Sequence, residues 1–81
     1  MTQWEYRNIK IQTWTQGVEE VVIWFDGKKV GNIPFFGKPS GKPLADYYNE
    51  LGQEGWELVN LDIERDTHSS DYSATFKRAK R

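Results

Sequence analysis

The chain has 81 residues, with 11 basic against 12 acidic side chains and a formal net charge of −1. That balance gives no global attraction to nucleic acid or anionic membrane. The absence of cysteine removes disulfide frameworks, thiolate nucleophiles and zinc–thiolate sites from consideration. A chain this short forms one domain, 1–81, near the size at which a single core barely outweighs chain entropy. Four each of Trp, Tyr and Phe help to offset that cost, and self-association would relieve it further. No apolar run reaches spanning length, and the N-terminus lacks a basic region followed by an apolar one, so a soluble cytoplasmic protein is expected.

In chain order, Trp4 to Trp14 alternates as a strand with a change of phase: Trp4 and Tyr6 share one face, Ile9 and Ile11 the other. Either a bulge switches the phase or the strand is covered on two sides. Thr15-Gln16-Gly17 reads as a turn, and Val18 to Phe25 as a second strand whose run Val21-Val22-Ile23-Trp24-Phe25 implies cover on both faces. Asp26-Gly27 is a strong hairpin signal because both residues tolerate positive φ, so Lys28 to Ile33 should return as a third strand. Pro34, Gly37, Pro39 and Gly41 punctuate a loop that Phe35 and Phe36 are expected to anchor.

Leu44, Tyr47, Tyr48 and Leu51 recur at helical spacing, with Asp46, Asn49, Glu50 and Gln53 on the opposite face. Pro43 suits the first helical position, and Gly55 supplies the left-handed residue that closes the helix. Gly52, on the buried side, is expected to let the helix approach a sheet closely. Trp56 to Arg65 follows as a strand, again with a phase change that puts Trp56 and Leu58 on one side and Val59, Leu61 and Ile63 on the other. After the polar turn Asp66 to Asp71, Tyr72, Ala74 and Phe76 alternate with Ser73, Thr75 and Lys77 in a last strand, and residues 76–81 form a basic end expected to fray. The order is β-β-β-α-β-β. It implies an α+β fold in which an antiparallel sheet of four to five strands carries one helix on one face.

The segment Asn49-Glu50-Leu51-Gly52-Gln53-Glu54-Gly55-Trp56-Glu57-Leu58-Val59 resembles the signature of domain of unknown function 4177, a family of small bacterial proteins. Trp4-Glu5-Tyr6-Arg7 and Phe76-Lys77-Arg78 are similar to that family's opening and closing strands. The resemblance covers about half of the chain. The stretch Gly17 to Lys42 is longer than it leads one to expect. It implies a helix across an antiparallel sheet and carries no established activity, hence no functional residues to transfer.

The chemical motifs are weak. Gly37-Lys38-Pro39-Ser40-Gly41-Lys42-Pro43 has three residues between its glycines where a phosphate-binding loop needs four, and Pro43 removes a helix amide. His68 lies among Ser69, Ser70, Asp66 and Asp71, which reads as a solvated turn rather than a triad or metal cluster. Glu19-Glu20 and Glu54/Glu57 read as solvated charge. No catalytic residue, metal or cofactor is therefore expected. One helix covers only one face, so apolar residues on the second face need a partner, most simply a second copy related by a two-fold axis. The interface candidates are Ile9, Ile11, Trp14, Trp24 and Ile63. The alternative is single-stranded nucleic-acid binding through the basic end, Lys77, Arg78, Lys80 and Arg81, with exposed aromatics.

Overall fold

The computed structural model describes residues 2–17, 19–35 and 37–80. Val18, Phe36 and Arg81 therefore lie outside the described residues, together with the start of the expected second strand, half of the expected loop anchor and the last cation of the basic end. The elements are β1 (Trp4–Gln16), β2 (Glu19–Phe25), β3 (Lys28–Lys29), α1 (Leu44–Gln53), β4 (Glu57–Arg65) and β5 (Ser69–Ala79). They form one antiparallel sheet of five strands in the order β3-β2-β1-β5-β4, with one helix in the β-β-β-α-β-β sequence. The terminal strands β1 and β5 lie side by side near its centre.

β1 keeps a single phase. Its pairing with β5 runs unbroken from Trp4 opposite Ala79 to Trp14 opposite Ser69. Ile9, Ile11 and Thr13 are all buried, so the odd positions point to the core and the even ones away from it. The two apolar sets seen in the sequence lie on different faces at different points along the strand, and no phase switch is needed.

The apolar run in β2 is resolved by a register shift. Gln12 pairs with Trp24 but Thr13 pairs with Val22, which leaves Ile23 as the extra residue. Val22 and Phe25 thereby fall on the core side, and Val21 and Trp24 on the other. Ile23 is buried outside the main cluster: a Cβ on Gly31 would come within 3.1 Å of its Cδ1. Gly31 and Gly41 both approach the Val22 carbonyl so closely that an added Cβ would lie 2.4 and 2.5 Å from it. Glycine is required at both positions by close backbone approach.

Asp26 (φ 54°) and Gly27 (φ 82°) form the expected hairpin turn. The third strand is shorter than Lys28 to Ile33, because after Lys29 the amides of Val30 and Gly31 both turn to the Ile23 carbonyl. The chain then makes an isolated bridge between Asn32 and Ser40. Phe35 is 94% exposed, so it does not anchor this loop by burial.

α1 matches the apolar spacing, with Tyr47 and Leu51 buried. Pro43 takes the N-cap, with extended ψ of 152°, rather than the first helical position. Gly55 has φ 89°, as a helix-closing residue should. Gly52 is exposed, and an added Cβ there meets nothing within 4 Å, so the expected close approach to a sheet is absent.

A second register shift, between Leu58 and Asn60, accounts for the phase change in β4: Leu58 faces Phe76, Leu61 faces Ala74 and Ile63 faces Tyr72. Leu58, Leu61 and Ile63 thus share the core side, with Val59 as the extra residue. The start of the basic end is ordered strand rather than frayed tail, since residues 76–79 pair with Trp4–Arg7 and the Lys80 amide donates to the Gln3 carbonyl.

The buried cluster unites Ile9, Ile11, Val22, Tyr72, Ala74 and Phe76 of the sheet with Tyr47 and Leu51 of α1. The Tyr47 ring stacks on Phe25 at 4.4 Å, and Tyr48 meets Phe76 edge-on at 5.9 Å. Ten helical residues span about 15 Å, whereas the thirteen residues of β1 span about 43 Å. The sheet is much longer than the helix that shares its core.

Candidate interaction surface

The even positions of β1 and the odd positions of β5 define the sheet face that points away from the core cluster. Its centre is polar and internally bonded. The Asn8 side-chain amide donates to Ser73 Oγ (3.2 Å) and Thr75 Oγ1 (3.0 Å), and Lys10 Nζ donates to Ser73 Oγ (3.0 Å). Aromatic residues sit toward the ends. Trp4 and Tyr6, 46% and 66% exposed, lie at one end, with Lys77 Nζ 4.5 Å above the Trp4 ring. Toward the other end Trp24, 42% exposed, borders a recess of about 300 Å³ shared with Lys10, Gln12, Gly27 and Asp71.

Ile9 and Ile11 do not belong to this face. At 0% and 2% exposure they are part of the protomer's own core, because the odd phase of β1 is the one that meets Tyr47 and Leu51. Ile63 also lies on the core side, opposite Tyr72, and is half exposed because β4 is the last strand of the sheet. Trp14 does lie on the open face but is half-buried, with its ring 5.6 Å from that of His68. It lines a second recess of about 280 Å³ with Ile33, Pro34 and Pro39. Of the five interface candidates, Trp24 is therefore exposed on the open face, with Trp14 partly so. Trp4 and Tyr6 join Trp24 on this face as exposed aromatics that the expected interface set does not contain, although their phase, opposite to that of Ile9 and Ile11, separates them from the core.

The basic end is divided between faces. Lys77 is on the open face opposite Tyr6, whereas Arg78, opposite Glu5, points to the core side. There Arg78 forms an ion pair with Glu5, donates to the Glu54 carbonyl (3.3 Å) and covers the Trp56 ring at 4.3 Å. These groups line a cleft of about 920 Å³, together with Arg7 and Lys80. Arg7 is itself paired with Asp26 at 2.6 Å. Two of the three cations of the cleft are thus already paired, Arg78 with Glu5 and Arg7 with Asp26, which reduces what is left to recognise an anion.

The Tyr72 hydroxyl donates to Glu20 (3.0 and 3.2 Å to its two oxygens); burial, then this bond, raises its pKa. Burial, followed by the nearby Tyr72 and Glu20, raises that of Tyr48. Lys42 is also raised, chiefly by its 2.6 Å hydrogen bond to Glu50. None of these shifts poises a group for proton transfer near neutrality. Among the described residues no group of three or more His, Cys, Asp or Glu is arranged to hold a metal ion. No helix among them is long and apolar enough to cross a membrane.

The model of domain of unknown function 4177 (DUF4177) matches residues 4–79. The chain belongs to this family. The DUF4177 match spans the stretch Gly17 to Lys42. No curated protein and no solved structure matched the chain. Membership therefore brings no activity, and any functional reading of this DUF4177 chain rests on its own surfaces.

Proposed function

We propose that this chain is a small, non-enzymatic bacterial module, acting in the cytoplasm, that assembles with copies of itself or with another protein through the open sheet face. In this reading α1 covers one face and leaves the other for a partner. The observation that carries it is Trp24: a large aromatic side chain, 42% exposed, beside a recess of about 300 Å³. Trp and Tyr are the residues on which interface energy concentrates, and Trp4 and Tyr6 extend the same face. The polar centre, with Asn8 and Lys10 already bonded to Ser73, suits a contact that can be made and released. Trp24→Glu is expected to lower the solution mass while the chain remains folded. A mass unchanged by the substitution would remove the open face as the self-contact.

A second reading, single-stranded nucleic-acid binding, is favoured by one juxtaposition: Trp4 and Tyr6, two residues apart on the open face, with Lys77 beside both. Since the Trp4 ring is already covered by Lys77 and Arg78 is turned to the other face, this reading ranks below assembly. Salt-dependent binding of a short single-stranded oligonucleotide, lost in Tyr6→Ala, would reverse that order.

A further inference from the structure

The two margins of the sheet differ. Beyond β2 the backbone is engaged: Val30 and Gly31 donate to the Ile23 carbonyl, and Val22 donates to that of Lys42. At the other margin β4 is the last strand, and among the described residues no strand lies beyond it. Its nine residues are exposed except for half-buried Leu61, and Leu58, Val59 and Ile63 are each 40–44% exposed. A long unpaired edge carrying apolar side chains is a template for another strand.

The sequence of this edge identifies the partner. Val59-Asn60-Leu61-Asp62-Ile63 has the same pattern in both directions: β-branched, polar, leucine, polar, β-branched. An antiparallel second copy turned about a two-fold axis at Leu61 sets Leu61 against Leu61 and the Asn60 amide against the Asp62 carboxylate, with the inserted Val59 beyond the regular ladder. The last pair matches a donor to a charged acceptor. Neighbouring registers are worse, since an axis at Asn60 runs the ladder into the inserted Val59. An axis at Asp62 opposes two aspartates, and an axis at Ile63 opposes Asp62 to Glu64; like charges directly opposite are destabilising. Val59 is the residue inserted by the register shift between Leu58 and Asn60, so the regular edge begins at Asn60 and the ladder centred on Leu61 is Asn60–Asp62.

We propose that two copies of this chain pair antiparallel through their β4 edges, with the two-fold axis at Leu61, to form one continuous sheet. The contact is isologous and closes at two copies. It uses a different surface from the open face and does not depend on that reading.

Asn60 is exposed, so its substitution tests the contact without disturbing the core. Asn60→Asp places a second carboxylate against Asp62 at both symmetry-related pairs and is expected to weaken the dimer roughly tenfold. Asn60→Lys places an ammonium there and is expected to tighten it several-fold. The measurement is sedimentation equilibrium of the full chain over a concentration series. Amide hydrogen exchange follows 60–62, which should slow as concentration rises. Opposite shifts for the two variants support the pairing. A monomer at all concentrations for the parent and Asn60→Lys overturns it, as do equal effects of the two variants. Mass that responds to Trp24→Glu but not to either Asn60 variant overturns the edge contact and leaves the open-face reading standing.

Discussion

Replacing Ile9 by alanine separates a protomer core from an intermolecular one. Ile9 is 0% exposed and lies in the cluster that includes Tyr47 and Leu51. Ile→Ala in a packed core costs about 2–5 kcal/mol, the transfer term plus the cavity that the surroundings fail to fill. Full burial in the middle of the sheet, opposite Ala74, places Ile9 near the centre of that range, about 3–4 kcal/mol. For a chain of this length the whole stability is of the order of 4–12 kcal/mol. The substitution should therefore remove a large share of it. Urea denaturation monitored by tryptophan fluorescence at several protein concentrations reads the effect as a lower midpoint. Tyr6→Ala, at an open-face position 66% exposed, is the control and should change stability by less than about 0.5 kcal/mol. A loss below about 1 kcal/mol for Ile9→Ala, or one that grows with protein concentration, would refute the placement of Ile9 inside the protomer.

Gly31→Ala forces a Cβ to within 2.4 Å of the Val22 carbonyl and is expected to cost at least about 1–3 kcal/mol in thermal or urea unfolding; exposed Gly52→Ala, which meets nothing, should instead be neutral or stabilising. The Tyr48 hydroxyl is buried with no hydrogen-bond partner among the described residues, so Tyr48→Phe should be neutral or stabilise by up to about 1 kcal/mol in the same assay. The pKa values of Tyr48 and Tyr72 are raised above 10.0, so the folded state holds these protons more tightly than the unfolded state. Their contribution to stability is fully present below the unfolded value and is lost as pH rises through the folded ones. Alkaline unfolding above pH 10 should be partly suppressed in the Tyr48→Phe, Tyr72→Phe double variant, once compared with its own stability at neutral pH.

The parts of the fold legible in the sequence are those coded by neighbouring residues. Asp26-Gly27 specifies its turn by tolerance of positive φ, Gly55 closes α1 for the same reason, and Tyr72, Ala74 and Phe76 alternate into the core as written. The parts that were not legible turn on single inserted residues. Ile23 and Val59 each displace their strand by one position, and one position exchanges the two faces of everything beyond it. That is why Leu58, Leu61 and Ile63 share a face despite their spacing. The candidate site was affected in the same way. Counting the apolar residues of β1 against one helix puts Ile9 and Ile11 on an open face, whereas the core stretch of the strand and its aromatic end are different parts of it. Trp24 is expected from the sequence to share a face with Ile9 and Ile11, whereas its pairing with Gln12 puts it on the opposite one.

The most direct test of the assembly reading is solution mass by light scattering behind gel filtration, for the parent chain and Trp24→Glu across a range of concentrations. The account predicts a species heavier than one chain that grows with concentration, and a lower mass for Trp24→Glu with its folded spectrum retained. A parent chain that stays at the mass of a single copy throughout would contradict self-assembly. An oligomer whose mass does not change on Trp24→Glu would contradict the open face as its contact.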